Sequence, residues 1–134
     1  MDVEVFLAAD YANVEQSGKL NVMGIFQDIN APGFPVRHSS MFLVIKLRPQ
    51  LGEYGVTRTL TLKLLTADGN ELLSIPKSID TPKGELGRRP QINIILGLRD
   101  LIFPEPGIYQ FVILIDNDHK GQLPINVNKI DLMK

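Results

Sequence analysis

A chain of 134 residues with 44% apolar and 22% charged content is sized for one domain, which excludes a disordered tail or a solvating linker. Fourteen basic and fifteen acidic residues leave a formal charge of −1, so no global field draws the chain to nucleic acid. The lack of cysteine removes disulfides, thiolate metal sites and cysteine nucleophiles together. The start Met1-Asp2-Val3-Glu4 places two acids before any apolar run, where a secretory signal wants a basic start and about 7–15 apolar residues. The apolar run Val112 to Ile115 falls far short of the ~20 residues that span a bilayer. The expectation is a cytoplasmic protein with no membrane partner.

Hydrophobic residues alternate with period two almost throughout, the pattern of strands buried on one face. Val3, Val5, Leu7, Ala9 and Tyr11 give a first strand, and Gln16 to Lys19 a tight connection to a partner over Leu20 to Ala31. Gly24 interrupts that partner and predicts a bulge. Pro32 to Pro35 ends the pair, and His38 falls in the loop that follows. Met41, Leu43, Ile45 and Leu47 form the third strand, stopped by Pro49. Leu60, Leu62 and Leu64 face one way on the fourth strand, while Thr57, Thr59, Thr61 and Lys63 face the other. Asp68-Gly69 favours a tight hairpin to Glu71–Ile75, and Pro76 marks that strand as an edge or marks its end. A polar loop over Asp80 to Pro90 precedes a strand with Ile92, Ile94 and Leu96, then a short turn near Leu98 to Phe103. Ile108 to Asp116 and Gln122 to Val127 make the last hairpin, around Asn117 to Lys120. About eight strands predict an all-β, single-domain sandwich over residues 1–134 with Greek-key connections, a small β-barrel being the alternative.

Pro106-Gly107 followed by Tyr109 on a strand resembles the tyrosine corner of immunoglobulin-like sandwiches, where the hydroxyl bonds to backbone upstream. The second half is similar to such a domain in element order, without its disulfide pair or core tryptophan. The whole chain also resembles a family of small uncharacterised bacterial proteins, a domain family of unknown function. That likeness rests on Met1-Asp2-Val3-Glu4-Val5-Phe6-Leu7, Ala9-Asp10-Tyr11-Ala12-Asn13-Val14 and Gly18-Lys19-Leu20-Asn21-Val22-Met23-Gly24-Ile25-Phe26. It continues through Phe34-Pro35 and ends with Phe103-Pro104, Pro106-Gly107, Tyr109 and Phe111. The resemblance implies a stand-alone bacterial sandwich and brings no activity or site residues.

Candidate chemistry is sparse. Asp10, Asp28, Asp80, Asp116 and Asp118 lie near strand ends, but calcium takes about six to eight oxygen ligands and Asp116-Asn117-Asp118 suits a turn. His38 and His119 are the two histidines, and without cysteine a zinc site would need both plus carboxylates. Ser39 and Ser40 beside His38 point in opposite directions on an extended chain, and no nucleophile elbow or phosphate-binding glycine loop is present. No catalytic, metal-binding or cofactor-binding residue is expected, and no cofactor. Arg88-Arg89 with Lys83 is a lone basic group without the aromatic stripe of a nucleic-acid face.

One feature is anomalous. If Tyr109, Phe111, Ile113 and Ile115 face the core, then Ile108, Val112 and Leu114 face outward, where a solvated face is polar. Ile95 shows a similar excess. Either the N-terminal hairpin covers such a face or a partner does. The expected function is therefore a non-catalytic module for protein–protein interaction or assembly, with self-association and no nucleic-acid partner. Its candidate interface is Ile108, Val112 and Leu114 with Thr59, Thr61 and Lys63. The alternative is a sandwich binding a small molecule or carbohydrate through Asp80, Arg88, Arg89, Asp116, Asp118 and His119; a hydrolase ranks last.

Overall fold

The computed structural model describes residues 1–84 and 90–131. Its strands are β1 (Asp2–Val14), β2 (Leu20–Phe26), β3 (Asp28–Ala31), β4 (Val36–Arg48), β5 (Thr57–Leu65), β6 (Glu71–Asp80), β7 (Ile92–Phe103), β8 (Gly107–Ile115) and β9 (Asp118–Lys129). A 3-10 turn, Leu51–Glu53, follows β4. The strands form two sheets, ordered β2-β1-β4-β7 and β3-β9-β8-β5-β6. No helix among the described residues is long and apolar enough to cross a membrane.

The alternation sorts side chains as expected. Met41, Leu43, Ile45 and Leu47 of β4 meet Leu60, Leu62 and Leu64 of β5 and Phe111 and Ile113 of β8, all with 0% exposure. Each such side chain contributes roughly 1.5–3 kcal/mol by leaving water. At the Asp-Gly turn Gly69 takes φ +84°, and Thr66 closes the hairpin through its backbone to Gly69 and Asn70. Pro76 sits on β6, an edge strand.

Four expectations are corrected. Leu20 to Ala31 is not one strand. The chain leaves the first sheet after Phe26, the Gln27 carbonyl accepts from the Asn126 amide at 2.7 Å, and β3 pairs in parallel with β9. Gly24 makes no register shift, since the pairs of β1 with β2 on either side of it keep one register. It adopts φ +70° instead, with the Asp10 carboxyl where a Cβ would stand. No turn interrupts Leu98 to Phe103. β7 runs through, but Asp100 at φ 54° rotates the strand, so that Leu98 faces the core before it and Leu101 and Phe103 after it. The last hairpin is tighter than expected. Asp116 and Asn117, at φ 49° and 68°, form a two-residue connection, and Asp118 to Lys120 belong to β9.

The tyrosine behaves as its context suggests. Its hydroxyl donates to the Glu105 carbonyl at 2.6 Å and accepts from the Glu105 amide at 3.3 Å. The ring meets Phe103 edge-on at 5.0 Å. Both polar functions of a buried phenol are thus satisfied.

Candidate functional site

Among the described residues, the aspartates proposed for ligand loops are engaged by neighbouring groups. Asp116 accepts from the Thr59 amide and from Arg58 Nη1, each at 3.0 Å. The Thr59 amide first, and then Arg58, hold its carboxyl below the ordinary value. Arg58 also reaches Glu53, its Nε lying 3.4 Å from Oε2 in an ion pair without hydrogen-bond geometry. The other Glu53 oxygen binds the Met1 amino group at 2.5 Å and the Gln50 amide at 2.9 Å. Burial opposes charge on Glu53, but the Met1 amino group, the Gln50 amide and Arg58 outweigh it and lower its pKa. This network clasps the start of β1, the 3-10 turn, β5 and the β8–β9 turn.

Asp80 accepts from the Thr57 hydroxyl at 2.9 Å, and Asp118 pairs with Lys120 at 3.3 Å. His119 is exposed on β9 opposite Leu114. Arg88 and Arg89 lie outside the described residues. His38 is not in a loop but half-buried on β4, its ring 5.8 Å from Phe26. Burial lowers its pKa, against an opposing pull from Asp10. Among the described residues no group of three or more histidine, aspartate or glutamate side chains is placed to hold a metal ion.

On the outer face of the second sheet, Val112 lies in register with Lys63 and Gln122, and Leu114 with Thr61 and His119. Val112 is nevertheless only 6% exposed, covered within the chain, and Lys63 is bridged to Glu71 at 2.9 Å. Ile108 is exposed but stands apart, beside Asn126, while exposed Thr59 lies at the Asp116 turn. The apolar excess read from β8 therefore offers little surface in the isolated chain.

The first sheet is different. Asn93 has the parity opposite to core-facing Ile92 and Ile94, and its Nδ2 donates to the Gly18 carbonyl at 3.3 Å. Tyr11 packs edge-on against Phe42 with ring centroids 5.4 Å apart. Distal β1 also approaches β7, two strands away in sheet order. The β1–β2 hairpin therefore folds back across the outer face of β4 and β7. Beneath it Ala9, Ala12 and Val44 are buried, though none belongs to the core between the sheets. The N-terminal hairpin thus lies over the outer face of the first sheet, at Phe42 and Asn93.

Covering that face exposes another. Met23 is 66% exposed, Ile25 62% and Tyr11 48%. Met23 pairs with Tyr11, and Ile25 with Ala9, so the three lie close together along the hairpin. Met23 and Ile25 stand on an edge strand, Leu20–Phe26, that contains no charged residue, and Tyr11 on β1 beside it. An open recess of about 480 Å3 adjoins it, lined by Phe6, Phe26 and Leu123 among others. Sequence reading missed these residues because alternation identifies two faces of a strand but not which one is covered. The uncharged run from Leu20 to Gln27 was the available signal.

The architecture has a structural counterpart. A Pseudomonas fluorescens alkylpurine DNA glycosylase, AlkC, bound to DNA containing an abasic site analog, matches with a TM-score of 0.55 at 9% identity. The match takes in 95% of this chain but 30% of that one, so the likeness is one of fold, over less than a third of the larger protein. No curated protein matches the sequence. A family model covers residues 4–128, and the chain belongs to that family of unknown function, DUF6941.

Proposed function

We propose that this protein is a non-catalytic module for protein–protein interaction, docking through the exposed face of its N-terminal hairpin. The observation that carries this reading is the exposure of Met23 and Ile25 on an uncharged edge strand, with exposed Tyr11 on the strand beside it. Contiguous exposed apolar side chains and unpaired strand edges are what partner surfaces use. The bacterial, cytoplasmic setting and the immunoglobulin-like kinship are part of the same proposal, supported by the sequence resemblance and by the Tyr109–Glu105 bonds.

The test is site-specific photo-cross-linking in cells, with the cross-linking amino acid at Met23 and, as a control, at exposed Ser78 on the opposite sheet. Discrete adducts at Met23 and none at Ser78 are expected. Equal or absent labelling at the two positions overturns the reading. Small-molecule binding is favoured only by the recess beside Phe6 and Phe26, whose volume of about 480 Å3 lies in the range of ligand pockets. A thermal shift with an apolar ligand library tests that alternative, because a ligand bound by the native state raises Tm.

A further inference from the structure

We infer that the base of the N-terminal hairpin is an acid-released latch, in which protonation of His38 frees the hairpin from β4. The inference stands apart from the docking reading, since it concerns the isolated chain. It starts where the first sheet divides. β1 pairs with β4 only as far as Ala9, opposite Phe42, but with β2 as far as Val14, opposite Leu20. Among the described residues, no strand pairing ties the hairpin to β4 beyond Ala9. At that point β2 changes conformation. Gly24 stands at φ +70°, and a Cβ there would lie 2.9 Å from Asp10 Cγ, so the absent side chain makes room for the Asp10 carboxyl. His38 reaches the same place from β4, in register with Leu101, which packs against the core. Its ring lies 5.8 Å from that of Phe26, and the Asp10 carboxylate is close enough to pull on it. Both neighbours belong to the hairpin, one on each strand.

His38 is half-buried, and its Nε2 is shut off from water with no hydrogen-bond partner. A neutral imidazole tolerates this, whereas an imidazolium has a donor on both nitrogens and a charge to solvate. The charged groups nearby are otherwise engaged or absent. Arg37 on the same strand is turned to Asp100 of β7, 3.7 Å away, and β2 carries no charge. Arg99 of β7 is aligned with Ser40, and Asp28 is held by Asn128 on the second sheet. Asp10 attracts the ring, but burial outweighs it and holds His38 below its ordinary 6.5. Above 6.5 the ring is neutral whether the hairpin is docked or released, and the latch has its full strength. Below 6.5 the released form takes up a proton first, and the latch weakens as the pH falls towards the docked value. Release is local, because β4 keeps its pairing with β7 from Val36 to Leu47. The hairpin tip is tied only by the 3.3 Å bond from Asn93 to Gly18 among the polar contacts of the described residues.

Hydrogen exchange read by mass spectrometry between about pH 7.5 and 5 tests the latch, a range in which unperturbed carboxylates stay ionised. After correction for the intrinsic effect of pH, protection of the hairpin over Asp10 to Phe26 is expected to fall several-fold towards acid. Protection of β8 and β9 is expected to hold. His38→Gln cannot take up the proton, so its hairpin is expected to show no such fall. Asp10→Asn removes the attraction, and its His38 ring is expected to titrate lower than in the natural chain by NMR. His38 and His119 are the only histidines, and a His119→Gln chain assigns the signal. Hairpin protection indifferent to acid, an acid response that persists in His38→Gln, or a His38 ring that titrates above 6.5 overturns the latch. If a melt at neutral pH shows that His38→Gln does not fold, Asp10→Asn decides, and a His38 titration that does not move downward overturns it. Because the purified chain is used, a failure here leaves the cross-linking result standing.

Discussion

The molecule contains two hairpins built on the same period-two alternation and put to different ends. β8–β9 lies inside its sheet, with β5 on one side and β3 on the other. Its turn is fastened by Asp116 to Thr59 and Arg58. β1–β2 lies at the margin of the other sheet, its turn held by the 3.3 Å contact to Asn93, with Met23 and Ile25 more than half exposed. Hydrophobic content does not separate them. What separates them is whether the second face of the hairpin finds a cover within the chain.

The widest separation should appear on truncating their side chains. Ile113 on β8 is fully buried opposite Leu62, so Ile113→Ala is expected to lose about 2–5 kcal/mol through lost burial and the cavity left behind. Met23→Ala or Ile25→Ala should stay within about 0.5 kcal/mol, as surface changes do. Urea unfolding of the three variants measures this directly. A comparable loss at Met23 would mean that the hairpin face is already buried, which would break the comparison.

The clasp beneath the β8–β9 turn gives the next largest effect. Glu53→Gln leaves the buried Met1 amino group without its counter-charge, at a cost of about 1–3 kcal/mol. The pH dependence has a definite sign. Because the folded Glu53 carboxyl has its pKa below the ordinary 4.5, its contribution is present above that value and is lost as pH falls through the folded value. Stability curves of the natural chain and Glu53→Gln should therefore converge in acid and diverge towards neutrality. Parallel curves would show that the network does not depend on the charge of Glu53.

A smaller loss is expected at the corner that precedes β8. Tyr109→Phe removes the bond to the Glu105 carbonyl and should lower stability by about 0.5–1.5 kcal/mol in the same unfolding measurement. An unchanged midpoint would mean that the ring alone, packed on Phe103, holds the corner.

Most of the architecture was legible because period-two alternation is a direct record of one-sided burial. Leu60, Leu62 and Leu64 and the Asp-Gly turn behave as read. The failures share a physical cause. At Asp100 the strand rotates through a left-handed residue and the parity of burial reverses, which sequence reading takes for a turn. At Gln27 the chain changes sheets without a proline or glycine to announce it. On β8, alternation shows that the face with Val112 is apolar but not that Lys63 and Gln122 flank it. Glu53 and Arg58 were missed altogether, since a network that joins four elements has no local spacing.

The subtlest test loosens the N-terminal hairpin without touching its exposed face. Asn93 donates to Gly18 through a long bond, while its Oδ1 is buried with no partner. Removing the side chain deletes both a weak hydrogen bond and an unsatisfied acceptor, and these terms oppose each other. Asn93→Ala should therefore leave global stability within about 0.5 kcal/mol and act on local opening instead. Hydrogen exchange is expected to quicken for amides of the β1–β2 hairpin and to stay unchanged in β8 and β9, since hairpins at a sheet margin open as separate units. If both hairpins quickened together, the fold would open as one body. The exposed face of the first would then be as rigidly held as the buried face of the second.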